Sequence, residues 1–421
     1  MTFLFDADHW REIGQVLRAN KLRTALTGLG VFWGIFMLMA MLGSGKGLSN
    51  GVAEGFSDGA TNSLFVWSQR TSKPYRGMPI GREIELTLAD GEAIRREIPE
   101  AGIICPRNQL GGYRGGNNVT RGTKAGAFSV MGDYPEIATI QSVRLTSGRF
   151  LNHLDIEERR KVTVIGSRVR EVLFGPVEDP LGQLVRVNGV YFKVIGTFQP
   201  RRSHGGHDDQ AQSLFIPFTT FRAAFNEGEE VGWFALTSRD GIPASKVEEK
   251  VLAFLKERHR VAPEDTRAFG HFNIEEEYNQ VQGVFGAIGA ITWLVGIGTL
   301  AAGVIGVSNI MLVIVRERTN EIGIRRAVGA TPFAVIAQIV MEALVLTSVA
   351  GLLGLSAGVG VIELAGRVLV DPNAEMFRNP EVTLQSALLA VAILVLSGVA
   401  AGFFPARRAV AMHPVEALRA V

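Results

Sequence analysis

The sequence predicts a membrane α-helical protein with four spanning helices, one plus three. A large mixed α+β extracytoplasmic domain is inserted between the first and second. Three observations carry this. Val281–Val315 holds 35 residues without one formal charge, and Thr24–Ser44 (21), Ala343–Ile362 (20) and Val382–Ala406 (25) repeat the pattern. About twenty apolar residues cross a bilayer's hydrocarbon core. The charges concentrate instead in residues 70–280, so overall mean hydropathy is only +0.19, which fits a chain of mixed membrane and soluble composition. A buried helical pair in a soluble protein is the rival reading. It does not account for two further runs of the same kind.

Residues 1–23 read as a cytoplasmic amphipathic helix. Trp10, Ile13, Val16 and Leu17 recur at spacings of three and four, with Arg11 and Arg18 available to the other face, as in helices that lie in the membrane interface. Residues 24–44 form the first span. Lys21 and Arg23 precede it, so the positive-inside rule places the N-terminus in the cytoplasm. A cleaved signal peptide is disfavoured by the long lead and long apolar stretch.

Residues 45–280 form the extracytoplasmic domain. Gly51–Ala60 continues the first helix, Phe65–Trp67 is a strand, and Arg82–Leu88 is a strand ended by an Ala-Asp-Gly turn signal. Cys105–Gly126 reads as a loop or irregular strand pair. Strands are expected at Phe128–Val130, within Gln141–Phe150, and at Lys161–Ile165, Leu214–Ile216 and Val231–Leu236; helices at Ser167–Leu173 and Ala244–His259. Leu184–Val187 and Val190–Ile195 flank Asn188-Gly189, the pairing that favours a tight primed hairpin turn. His204, His207, Asp208 and Asp209 invite a metal reading, but their spacing matches no defined zinc motif. A solvated loop is favoured, and neither metal nor cofactor is expected. The lone Cys105 has no disulfide partner in the chain.

Residues 281–315 are the second span with a stalk, since so long a helix exceeds the bilayer. Residues 316–332 form a cytoplasmic connection. Arg316, Arg318, Arg325 and Arg326 outnumber Glu317 and Glu321, which sets that end inside. Residues 333–364 form the third span. Within it Glu342 is either a functional carboxylate or an interfacial one, because a carboxylate at membrane depth turns to a helix interface or polar cavity. Residues 365–381 form an outer loop, 382–404 the fourth span, closed by Pro405, and 405–421 a cytoplasmic tail. Both termini lie inside. The net charge of +2 gives no reason to expect a nucleic-acid partner.

SNIMLVIVRERTNEIGIRRAVGAT (Ser308–Thr331) and FPARRAVAMHPVEALR (Phe404–Arg419) resemble the permeases of the MacB/FtsX/LolC-type ABC transporter family. LTSGRFLNHLD (Leu145–Asp155), VTVIGSRVREVLFG (Val162–Gly175) and DPLGQLVRVNGVYFKVIGTF (Asp179–Phe198) are similar to its extracytoplasmic domain. The tail departs mildly, with His413-Pro414 where Asp-Pro is common. The resemblance implies a homodimer or heterodimer of permeases in the bacterial inner membrane, driven by cytoplasmic ABC ATPase subunits. It adds a periplasmic adaptor and an outer-membrane channel as possible partners, beside membrane lipid. It also implies that Glu317, Arg318, Glu321, Ile322, Arg325 and Arg326 form the surface that couples to the ATPase, transmitting its movement to the outer domain. No G-x-x-x-x-G-K-[ST] motif occurs, and Gly43–Gly47 lacks its spacing, so the ATPase is expected as a separate polypeptide.

Small residues let helices approach closely in lipid. Gly28, Gly34, Gly296 and Gly303 are therefore expected at a dimer interface of spans one and two. The function expected is ATP-driven efflux of drugs or peptides through an adaptor. Lipoprotein release and an ATP-independent membrane sensor or scaffold are the alternatives. A membrane enzyme is disfavoured, since no nucleophile–base arrangement is visible.

Overall fold

The computed structural model describes residues 21–56, 60–111, 116, 118–141, 143–200, 208–368 and 377–411. The amphipathic segment at Asp8–Asn20, the His204/His207 loop, Asp371–Asn373 and the His413–Arg419 tail lie outside them. The chain divides into two compact units, 1–52 with 283–421, and 53–282.

The first unit is helical. α1 (Lys21–Phe56) has no interior proline and turns Val31, Ile35, Leu38 and Met39 inward, a spacing that lines one helical face. Thr24–Ala53 of it is long and apolar enough to cross a membrane.

The second unit is a mixed sheet with helices on its faces. In chain order it holds β1 (Ser63–Ser68), β2 (Leu86–Thr87), α2 (Leu88–Glu97), β3 (Ala101–Leu110), β4 (Val119–Arg121), β5 (Lys124–Gly126), β6 (Ser129–Asp133), α3 (Ile137–Ile140) and β7 (Val143–Gly148). It continues with α4 (His153–Glu157), β8 (Val162–Gly166), α5 (Ser167–Leu173), β9 (Leu184–Val187), β10 (Val190–Pro200), α6 (Asp208–Ala211), β11 (Ser213–Pro217) and α7 (Phe218–Phe225). It ends with β12 (Glu230–Val231), β13 (Trp233–Ser238), α8 (Ala244–Arg258) and β14 (Phe269–Asn273). The strand order is β14-β1-β13-β3-β6-β11-β8-β10-β9-β4-β5, with β7 also on β10 and a separate β2–β12 pair. Each half has its own core. Helices α2 and α8 cover Leu64, Val66, Phe234 and Leu236, while α5 and α7 cover Val130, Phe192, Val194 and Leu214.

The hairpin at Asn188-Gly189 forms as expected, and both residues have positive φ (41° and 91°), as a primed turn requires. Three expectations are corrected. Ala89-Asp90-Gly91 is no turn after a strand but the first turn of α2. Thr87 and Asp90 form a capping box, with Asp90 Oδ2 accepting from Thr87 N at 2.8 Å. Cys105 lies mid-way along β3, the strand joining the two halves, with its thiol buried. Helix α7 and strand β14, absent from the sequence reading, are short runs that neither periodicity resolves.

The remaining helices are α9 (Ile274–Glu317), which belongs to the first unit from Gly283 onward, and α10 (Thr319–Ala327), α11 (Pro332–Val368) and α12 (Leu384–Ala411), which lie wholly in it. Of these, α9, α11 and α12 meet the length and hydropathy of spanning helices. From Thr292 onward α9 buries one stripe, Gly296, Leu300, Gly303, Val307, Met311 and Val315. The helix of the fourth span does not stop at Pro405. That proline is buried inside α12, which continues to Ala411, because neighbouring helices can re-satisfy the backbone groups a proline frees.

Arg107 of β3 and Asp133 of β6 form a bidentate pair, 2.5 and 2.9 Å, at 2% and 0% exposure. Removing one partner strands a buried charge at a cost of about 3–5 kcal/mol. Asp133→Asn should therefore lower the unfolding midpoint of this unit in urea titration, and Arg107→Met/Asp133→Leu should recover much of the loss. Asp265 gives a pH prediction. Burial opposes its charge, but hydrogen bonds from Ser72 Oγ and the amides of Ser72, Arg267 and Lys73 outweigh this and hold the carboxyl near about 2. The folded value lies below the unfolded one. Its stabilisation is thus full above the ordinary carboxylate range and lost as pH falls toward 2. Asp265→Asn should flatten the stability curve in that window.

Candidate functional site

Three short-range devices shape the connection between α9 and α11. First, the helical path breaks at Arg318 (φ −101°, ψ 15°), the N-cap of α10. Second, α10 closes with a Schellman motif: Ala330 N donates to Arg325 O (3.0 Å) and Gly329 N to Arg326 O (3.1 Å), with Gly329 at φ 110°. Third, Thr331 Oγ1 accepts from Ala334 N at 3.3 Å, and Pro332 opens α11, a position where its missing N–H costs nothing.

The charged residues of this connection turn largely inward on the unit. Arg318 Nη1 donates to Glu342 Oε1 at 3.2 Å, and its Nε lies 3.4 Å from Glu321. Arg325 donates from Nη2 to Glu321 Oε1 (2.8 Å) and from Nη1 to Gln338 Oε1 (3.0 Å). Arg326 Nη1 donates to the carbonyl of Val410 in α12 at 2.8 Å. Ile322 packs with Val315, Val335, Ile339, Ala406 and Ala409. Beneath these groups is a cavity of about 30 Å³ bounded by Arg318, Glu321, Arg325, Gln338 and Glu342. It has room for about one water. Of the six charged and apolar residues singled out from the sequence, five (Arg318, Glu321, Ile322, Arg325 and Arg326) are half-buried, and Glu317 is exposed.

The turn presents three large apolar side chains outward. Ile324, Val328 and Phe333 are 50, 84 and 79% exposed. They stand at the end of α10, in the turn and at the start of α11. Arg316, Asn320 and Ala327 are exposed with them. The break in the apolar pattern marked the turn, and the family resemblance put its charged residues and Ile322 forward as the contact. The signal that sequence reasoning missed was Val328 and Phe333 flanking Gly329, a turn too tight to bury them.

The four glycines expected at a dimer face lie in seams within the chain. A methyl group on Gly303 would sit 3.1 Å from Val31 N, and one on Gly296 2.5 Å from Leu38 Cδ1. Gly34 faces Leu300 and Gly28 faces the Cβ of Ala350. Glu342 is 3% exposed and belongs to an interface of helices.

Residues 24–254 match the family described as MacB-like periplasmic core domain, and residues 293–414 that described as FtsX-like permease C-terminal. The chain is 29% identical over 413 residues to the macrolide export ATP-binding/permease protein MacB of Bdellovibrio bacteriovorus, covering 98% of this chain and 61% of that protein. It is 31% identical over 418 residues to the pyoverdine export ATP-binding/permease protein PvdT of Pseudomonas syringae pv. syringae, covering 99% and 59%. The chain thus spans about three fifths of the length of these relatives. Among solved structures, the periplasmic region of MacB from Actinobacillus actinomycetemcomitans aligns with 55% of this chain and 97% of that one, at 19% identity and a TM-score of 0.43.

Because a Cβ at Gly303 meets backbone, which cannot move aside as a side-chain end can, Gly303→Leu should lower the thermal unfolding midpoint in detergent more than Gly298→Leu. Gly298 has open space around it. Equal midpoints would remove the close α1–α9 approach from the account.

Proposed function

Because this chain belongs to the MacB/PvdT-type ABC exporter permease family, with a MacB-like periplasmic core domain and an FtsX-like permease domain, we propose that it transmits ATP-driven movement from a cytoplasmic ATPase to the inserted domain. In this reading the α9–α11 turn lies on the cytoplasmic side of the inner membrane, with both termini. The inserted domain lies outside. The chain acts as a permease dimer, exporting a drug or peptide through a periplasmic adaptor. Its work is conformational, and ATP hydrolysis belongs to the ATP-binding partner.

The observation that carries the reading is the exposed apolar tip, Ile324, Val328 and Phe333, set on a turn whose Arg318, Arg325 and Arg326 are engaged on α11 and α12 while Glu321 pairs with Arg318 and Arg325. Apolar side chains entering a partner's groove supply most of the energy of such contacts, while rim charges add orientation. Arg316, Arg318, Arg325 and Arg326 support an inner-side tip by the positive-inside rule. A second permease copy would use surfaces other than Gly34, Gly296 and Gly303, which are already covered within the chain. An ATP-independent sensor would have no use for an apolar cytoplasmic tip.

Val328→Asp/Phe333→Asp should leave the permease folded and in the membrane but reduce co-purification of the ATP-binding subunit by at least about tenfold, as truncating central anchors does. Glu317→Lys, at the rim, should reduce it less. Undiminished co-purification with the double aspartate variant would refute the apolar tip as the contact.

A further inference from the structure

Glu342 is the eleventh residue of α11 and is buried among apolar groups, with Ala343 at 0%, Ile339 at 7% and Leu346 at 9% exposure beside it. A carboxylate at that depth persists only when paired. Its partner, Arg318, is the residue at which α9 gives way to α10. One turn earlier on the same face of α11, Gln338 holds Arg325. The two acceptors are four residues apart on α11, and the two arginines are seven apart along α10, close to two helical turns. Glu321 sits between the arginines and contacts both. The result is a two-rung ladder along one side of α10, with Arg326 tied to α12 beyond it.

We infer that Glu342 is a positioning residue for coupling. Through Arg318 it holds α10 at a fixed angle on α11, so that the two helices move as one piece when the tip is displaced. The inference rests on the tip being the ATPase contact for its use, but not for its geometry. From α11 the displacement passes directly to α12. A methyl on Gly402 would lie 2.8 Å from Val340 Cα, and one on Gly351 2.3 Å from Leu394 Cδ1, so the two helices are too closely set to slip without repacking. A neutral glutamine at 342 keeps the shape and a hydrogen bond but leaves the guanidinium of Arg318 with Glu321, on its own helix, as its counter-charge, and so without an ion pair to α11.

The test uses the full chain with spin labels at Ala327→Cys on α10 and Val349→Cys on α11, both exposed. Cys105 is 1% exposed and stays unlabelled. The α10–α11 distance should be a single narrow distribution, unchanged between the nucleotide-free and vanadate-trapped ATPase complex, and it should broaden in Glu342→Gln. In the complex, Glu342→Gln should retain the ATPase subunit yet lower permease-stimulated ATP hydrolysis by about tenfold, within the range by which residues lying between two coupled sites change their coupling. Arg318→Glu/Glu342→Arg should restore it only in part, since the swap returns the pair but sets a carboxylate beside Glu321. A distance that shifts with nucleotide in the wild type, or stays narrow in Glu342→Gln, overturns the inference. So does full stimulation in Glu342→Gln. If the wild type retains no ATPase at all, the coupling reading fails, while the distance distributions still decide the role of Glu342.

Discussion

A half-buried guanidinium and an almost fully buried carboxylate share one site. Arg318 and Glu342 meet at the corner where one spanning helix ends and the next has risen three turns, a setting the buried carboxylate does not tolerate without a partner. Their attraction sets the direction of α10, and with it the direction in which Ile324, Val328 and Phe333 point. An apolar tip on a loose connection would bury itself against the nearest helix or in lipid. Held by two arginines on one side and capped by Gly329 on the other, it stays outward.

The rest of the helical unit supports that corner by close approach. Lipid gives no hydrophobic reward for bringing helices together, so dense packing must hold them. Gly303 admits the backbone of α1, Gly354 the carbonyl of Phe32, and Gly402 the Cα of Val340. Each is a place where a side chain would force the helices apart. The inserted domain solves a different problem with water-driven cores on both halves of a shared sheet, joined through β3 and its buried Arg107–Asp133 pair.

The four spans were legible because uncharged runs of that length have few soluble uses, and the Asn188-Gly189 hairpin because its residues favour positive φ. Other features were hidden for physical reasons. Pro405 reads as a stop from local propensity, yet packing by Ala406 and Ala409 carries α12 past it. Asp90-Gly91 reads as a turn until Thr87 is seen to cap a helix. At the turn, charge marked the place but not the face. The family resemblance put Glu321, Arg325 and Arg326 forward as contacts, whereas Arg325 and Arg326 reach Gln338 and Val410 on other helices, which a linear pattern does not report. The glycines of spans one and two mark close helix approach, but only coordinates assign that approach to the chain's own helices.

The measurement that bears most directly on the central claim is site-specific photo-cross-linking in native membranes, with a photoreactive residue at Val328 and, as control, at Ile322 on the inward side of α10. The account predicts that position 328 captures a chain bearing a nucleotide-binding domain, with a yield that changes on vanadate trapping, and that position 322 captures only this chain. Capture of the nucleotide-binding chain from position 322 but not 328, or of lipid alone from 328, would contradict it.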